Sequence, residues 1–133
     1  MPYINIAVAN HSLSAASKQR LFDETTSLMA DVMHKKPSVT SVRINECPAE
    51  NWAIAGKAAA TTTRAAVHMD IKVTAGTNTD AEKAEMVSLS MAMLKDIVGA
   101  TFEASYVVIH DLDAGAWGYD GQTQQSRAQA RAA

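Results

Sequence analysis

Cysteine is almost missing from this sequence of 133 residues, in which Cys47 is the single example. A lone cysteine excludes an internal disulfide framework and a metal site built on paired cysteines, and it fits a reducing compartment. Long apolar runs are also missing, since none approaches the ~18 residues of a membrane-spanning helix. No charged-then-apolar leader opens the chain. We therefore expect a soluble, cytoplasmic protein that does not associate with a membrane.

An excess of either charge is missing as well, since 12 basic residues stand against 14 acidic ones. Without a basic excess there is no electrostatic footprint for nucleic acid or for an anionic membrane surface. The grouping of His110, Asp111 and Asp113 does not match the spacing of a known metal motif. We expect no nucleic-acid partner and no metal.

The sequence does contain a clear strand–helix–strand pattern in its first half. Apolar residues alternate along positions 1–8, which predicts a strand. Helical spacing then predicts an amphipathic helix over roughly 15–34, capped by Ser14 and ended before Pro37. A second strand is predicted over about 40–46. The connection is long enough to make the two strands parallel.

The same unit returns 65 positions later without a gap, as comparison of the sequence with itself shows. Among the conservative pairs, the predicted N-cap of the first helix, Ser14, aligns with that of the second helix, Thr79. Thr79 also forms a predicted capping box with Glu82. Ten identical pairs support the alignment: Ile6/Ile71, Val8/Val73, Ala16/Ala81, Lys18/Lys83, Asp31/Asp96, Val42/Val107, Ile44/Ile109, Ala49/Ala114, Trp52/Trp117 and Gly56/Gly121.

This repeat predicts an α+β fold. Two tandem βαβ units, 2–56 and 67–121, form a four-stranded sheet with both helices on one face and an approximate two-fold axis. Residues 57–66 are a linker, and 1–121 make up a single domain. The tail, 122–133, shows no pattern that requires packed structure, so we expect it to be mobile or to dock on a neighbouring chain.

The stretch Met1-Pro2-Tyr3 places a proline directly behind the initiator methionine, at the head of the first strand. Removal of Met1 would turn Pro2 into a free secondary amine. A free α-amino group has a pKa of ~7.7–8, and desolvation lowers it, so an apolar pocket would leave a usable base at neutral pH. The alternative is that proline only blocks the first donor of an edge strand. The second half has Val67 at this place, which predicts at most one such site per chain.

The proline behind Met1, the βαβ unit, and the segments Val42-Arg43-Ile44 and 46–56 resemble the tautomerase superfamily, typified by 4-oxalocrotonate tautomerase. The whole chain is similar to fused two-unit members, which include cis-3-chloroacrylic acid dehalogenase and malonate semialdehyde decarboxylase. The resemblance implies a homotrimer with pockets near subunit boundaries, a small-molecule carboxylate as substrate, and no cofactor.

Carried over residue by residue, the resemblance implies that Pro2 acts as general base in a tautomerase, or as a cationic acid in a hydratase-type reaction. Arg43 lies in the strand where family tautomerases hold the substrate carboxylate, although its spacing from Trp52 is shorter than in the family pattern. Trp52, Trp117 and Tyr119 match aromatic positions that wall the family's pocket.

Four other residues keep two interpretations each. Tyr106 is either a packing tyrosine or a hydroxyl donor to an active site. His68, Asp70 and Lys72 alternate onto one face of the third strand. They form either a solvated or inter-subunit polar face, or a set of relay or ligand groups.

The sequence thus predicts a tautomerase that uses Pro2 on a small enol or 2-hydroxydienoate carboxylate. One alternative is hydration, dehalogenation or decarboxylation of a three-carbon acid at the same proline. In the resemblance, family tautomerases carry an arginine for a second carboxylate where Ser12 or Leu13 stands, and the dehalogenase and decarboxylase branches carry arginines around 74–77. The lack of these arginines argues against a dicarboxylate substrate and against this alternative. Another alternative is a catalytically silent trimeric scaffold, because a fold does not determine function.

Overall fold

The computed structural model describes residues 2–133, so the expected removal of Met1 concerns a residue outside the described range. The elements follow one another in the order β1 (Tyr3–Ala9), α1 (Ala15–Asp31), β2 (Ser41–Cys47), β3 (Ala53–Ile54), β4 (Lys57–Ala58), β5 (Ala66–Thr74), α2 (Asp80–Val98), β6 (Tyr106–Leu112), β7 (Gly118–Tyr119), β8 (Gln122–Thr123) and α3 (Gln124–Ala132). Short 3₁₀ turns occupy Pro37–Val39, Ala49–Asn51 and Ala59–Thr61.

The main sheet has four strands in the order β2-β1-β5-β6. Each half pairs its own two strands in parallel, and the halves join through the antiparallel pair β1–β5. Parallel pairing within a half follows from the helical crossover between its strands. The predicted sheet of two βαβ units is therefore confirmed.

One face of this sheet carries the hydrophobic core, and both helices lie on it. The alternate residues Ile4, Ile6 and Val8 of β1 are fully buried, and β5 buries its own alternate set. The helices α1 and α2 also contact each other. Each such buried aliphatic side chain stabilises the fold by roughly 1.5–3 kcal/mol. The helical side chains in the core include Leu21, Met29, Met86 and Leu94.

The opposite face of the sheet, which we call the open face, remains partly exposed and polar. It comprises Tyr3, Asn5 and Ala7 of β1, with His68, Asp70 and Lys72 of β5 and the alternate residues of β2 and β6. Strand alternation explains the division, because successive side chains point to opposite faces.

The duplication is visible in the backbone as well. The bounds of β6 are those of β2 shifted by 65 residues, and the hairpin β7–β8 repeats β3–β4 with the same shift. The capping box of Thr79 and Glu82 is present. Helix α1 ends at Asp31, earlier than predicted, because the chain turns away there: His34 adopts a left-handed φ of 58° and Lys35 N–H donates to Met29 O.

The C-terminal tail differs from the expectation, because Gln124–Ala132 form helix α3. Thr123 caps this helix by accepting from Ser126 N–H. Its backbone is tied to its own chain, since Gln125 N–H donates to Ala114 O at 2.9 Å. The helix has no apolar stripe, so hydrophobic periodicity could not reveal it.

Candidate active site

A cavity of about 380 Å³ lies beside Pro2. Pro2 is buried, and its carbonyl oxygen accepts a 3.2 Å hydrogen bond from the backbone nitrogen of Ser41. Both halves of the chain supply walls, because the β1–β5 pairing sets Tyr3 opposite Lys72. The lining of this Pro2 cavity comprises Pro2, Tyr3, Val39, Ser41, Lys72, Leu112, Trp117, Gly118, Tyr119 and Gln124.

The aromatic wall of the Pro2 cavity comes from the β7–β8 hairpin of the second half. This hairpin carries Tyr119, and Trp117 immediately precedes it. The turn between its strands needs left-handed backbone at Asp120 and Gly121, with φ angles of 51° and 78°. Aspartate followed by glycine is a favoured pair for such a turn. Local turn chemistry therefore places both rings.

Polar partners hold the two rings in position. The indole Nε1 of Trp117 donates to Thr74 Oγ1 at 3.2 Å. The guanidinium of Arg127, in α3, lies 3.7 Å from the centre of the Tyr119 ring and also donates to Tyr119 O at 3.1 Å. Because these contacts restrain the rings, they form a stable apolar wall for the cavity that Pro2 shares.

Two polar residues that line the Pro2 cavity, Lys72 and Gln124, were not predicted from the sequence as residues of this site. Lys72 brings a cation from β5, and its Nζ lies 5.6 Å from the centre of the Tyr3 ring. Gln124 is 7% exposed, and its Nε2 is buried without a hydrogen-bond partner among the described residues. An unpaired buried donor costs ~1–3 kcal/mol, which a ligand oxygen would recover. Strand alternation predicted that Lys72 lies on the same face of β5 as His68 and Asp70. No pattern in the sequence indicated that Gln124 would reach this cavity.

The remaining predicted site residues lie elsewhere. Trp52 and Tyr106 line a second cavity of about 620 Å³. Arg43 lies exposed on the edge strand β2 and lines neither cavity. Within one chain the structure thus brings Pro2, Trp117 and Tyr119 together and separates them from the other three.

A carboxylate bridges two imidazoles on the open face. Asp70 Oδ1 lies 2.8 Å from His110 Nε2 and 3.1 Å from His68 Nε2. Burial tends to raise the pKa of Asp70, but the hydrogen bonds from His110 and His68 together outweigh it and hold that pKa below its ordinary value.

This lowered pKa makes the stability of the protein depend on pH. A carboxyl with a lowered pKa in the folded state stabilises that state above its unfolded pKa, and this contribution is lost as pH falls through the folded pKa. We expect wild type to exceed Asp70→Asn in free energy of unfolding at neutral pH, with the gap closing below pH ~4. Urea unfolding across pH measures this difference.

The control for this prediction is Asp113→Asn, which changes an exposed carboxylate. This variant should show no comparable gap at any pH. If the difference in free energy of unfolding between wild type and Asp70→Asn stayed constant into the acid range, a lowered pKa of Asp70 would not be its cause.

Residues 2–133 contain neither a membrane-spanning helix nor a cluster of metal-ligating side chains. No helix there is both long enough and apolar enough to cross a membrane. In the same range, no three side chains of His, Cys, Asp or Glu come together as a possible metal site.

The fold and the cavity together define a class: fused βαβ pairs whose first strand begins at a proline in an aromatic-walled cavity. Residues 2–61 match the family model described as tautomerase enzyme. A probable tautomerase from Dickeya dadantii is 35% identical over 57 residues, which cover 43% of this chain and 85% of that protein. The chain belongs to the tautomerase family. This membership supports an isomerase-type enzyme.

Solved structures share the fold over almost the full length. A fused 4-OT described as a wild-type symmetric trimer superposes with a TM-score of 0.82 at 16% identity, covering 94% of this chain and 98% of that one. A native fused 4-OT gives 0.80 at 19% identity, covering 95% and 98%. A macrophage migration inhibitory factor-like protein from Entamoeba histolytica gives 0.75 at 17% identity, covering 92% and 97%.

Proposed function

We propose that this protein is a tautomerase whose base is the amine of Pro2, acting on a small enol or 2-hydroxydienoate that carries one carboxylate. The observation that carries the proposal is the position of Pro2, which is buried in a cavity walled by Trp117 and Tyr119. The alternative, a proline that only blocks the first donor of an edge strand, does not fit, because β1 lies inside the sheet between β2 and β5.

The chemistry starts from removal of Met1, which leaves Pro2 with a basic secondary amine. An apolar surrounding disfavours the charged form of an amine and so lowers its pKa towards neutrality. The amine takes the hydroxyl proton of the enol, and the oxygen electron pair forms the carbonyl. The electron pair of the former carbon–carbon double bond then takes a proton from the protonated amine, so that a new C–H bond forms and the amine is free again. This proton transfer needs no cofactor.

Lys72 and Gln124 are the groups that we propose for binding the substrate within the same chain. The Lys72 ammonium is the cation of the Pro2 cavity and would pair with the substrate carboxylate. The unpaired Nε2 of Gln124 would donate to the oxygen that gains negative charge during proton transfer. Both groups are in place before substrate binds, so little reorganisation is needed.

We further propose that the chain forms a homotrimer and that Arg43 serves a neighbouring copy. Arg43 is exposed on an edge strand, where another chain could approach it. Structural neighbours described as trimers support this assembly. In that arrangement Arg43 would add a second cation to a partner's Pro2 cavity.

A steady-state assay tests the proposed function. Protein whose intact mass shows the loss of Met1 is expected to ketonise phenylenolpyruvate or 2-hydroxypenta-2,4-dienoate, each of which carries one carboxylate, faster than buffer alone. Protein that retains Met1 provides the control, because its Pro2 nitrogen is an amide without a basic lone pair. Rates equal to buffer for both substrates would reject the tautomerase. Products from haloacrylates or malonate semialdehyde would instead identify the alternative reactions.

A further inference from the structure

The second cavity, which we call the Trp52 cavity, is the repeat counterpart of the Pro2 cavity. It measures about 620 Å³, and seven of its eight lining residues correspond to lining residues of the Pro2 cavity after a shift of 65. The correspondences that matter are Trp52 with Trp117, Ile54 with Tyr119, His68 with Tyr3, Tyr106 with Ser41, and Ala7 with Lys72.

The two cavities differ in the groups that carry charge. Where the first half has Pro2, the second has Val67, which is fully buried and continuous with the chain on both sides. Where the Pro2 cavity has Lys72, the Trp52 cavity has Ala7. No lysine or arginine is found among its described lining residues. The Trp52 cavity therefore lacks both the amine and the cation.

At two other positions the Trp52 cavity has an imidazole, His68 in place of Tyr3, and a phenol, Tyr106 in place of Ser41. The rings of His68 and Tyr106 lie with their centres 6.2 Å apart, and Tyr106 is 60% exposed. Asp70 accepts a hydrogen bond from His68 Nε2 at 3.1 Å. In the neutral tautomer that donates from Nε2, Nδ1 carries the lone pair and can accept a further hydrogen bond.

We propose that the Trp52 cavity is a second binding site, for an uncharged aromatic ring that bears a hydroxyl group. Trp52 and Tyr106 supply faces for the ring to pack against. The Nδ1 of His68 accepts from the ligand hydroxyl. A carboxylate is disfavoured, because no cation compensates it and Asp70 lies close by. This site does not depend on the amine of Pro2.

Fluorine NMR separates the two cavities, because the chain has 2 tryptophans and each cavity has one of them. Protein labelled with 5-fluorotryptophan gives one resonance per cavity, assigned with Trp52→Phe. Titration with phenol is expected to shift the Trp52 resonance to saturation. Benzoate, which has the same ring and a charge, is expected to leave that resonance in place. A phenol titration that moves only the Trp117 resonance would overturn the proposal.

Two variants test the chemistry of recognition. His68→Phe keeps the ring volume but removes the acceptor, and should weaken phenol binding about fivefold, the loss of one neutral hydrogen bond. Ala7→Lys restores the cation that Lys72 supplies in the other half, and should let benzoate shift the Trp52 resonance. Phenol affinity unchanged in His68→Phe would contradict the site, as would Ala7→Lys without benzoate binding. Pro2→Ala should bind phenol at the Trp52 cavity as wild type does.

Discussion

Replacing Pro2 with alanine is expected to lower kcat/KM for phenylenolpyruvate by about 100-fold. A positioned general base contributes roughly 10²–10⁴-fold to proton transfer. Alanine retains an amino terminus but loses the secondary amine and the rigid ring that sets its direction, so we expect the lower part of that range. Steady-state kinetics of wild type and variant measure the change, with intact mass confirming that both proteins begin at residue 2.

The matched control is Pro48→Ala, because Pro48 is exposed and lines neither cavity. This variant should keep the kcat/KM of wild type. Circular dichroism on all three proteins shows whether the fold is intact. Equal kcat/KM for wild type and folded Pro2→Ala would show that the secondary amine of Pro2 is not the catalytic base.

Lys72→Met is expected to lower kcat/KM for the same substrate by about 10- to 100-fold, mostly through KM. A hydrogen bond to a charged group contributes ~1.5–3 kcal/mol, and methionine keeps much of the side-chain volume without the charge. Lys72→Arg should retain most of the activity, because it keeps a cation in the Pro2 cavity. Steady-state kinetics on the two variants measures the difference.

A second substrate separates binding of the carboxylate from general damage to the site. An enol without a carboxylate should react equally well with wild type and Lys72→Met, since Lys72 has no anion to hold. Lys57→Met removes the same charge at an exposed position outside both cavities and should leave kcat/KM unchanged. If Lys72→Met slows both enols equally, Lys72 does not recognise the carboxylate.

The repeat, the four strands of the main sheet, the helices α1 and α2 and the division of the sheet into two faces could be predicted from the sequence because they depend on local patterns. Strand alternation and helical spacing identify the buried side of each element, and Thr79 with Glu82 marks a helix start within four residues. The gap-free shift of 65 between the repeats in the sequence then implies two equal halves. Helix α3 could not be found this way, because polar contacts such as that of Arg127 with Tyr119 O hold it.

The sequence by itself determined that Pro2 begins a strand, that two βαβ units follow, and that each unit contains one tryptophan. Only the tertiary structure decided which tryptophan joins Pro2. Trp52 belongs to the same half as Pro2, yet Trp117 shares its cavity. The reason is the antiparallel pairing of β1 with β5, which sets the start of β1 beside the C-terminal end of β5. The C-terminal end of β6 lies next to it, and the chain continues from there to Trp117. This antiparallel pairing joins residues that are far apart in the chain, so it could not be predicted from local sequence patterns.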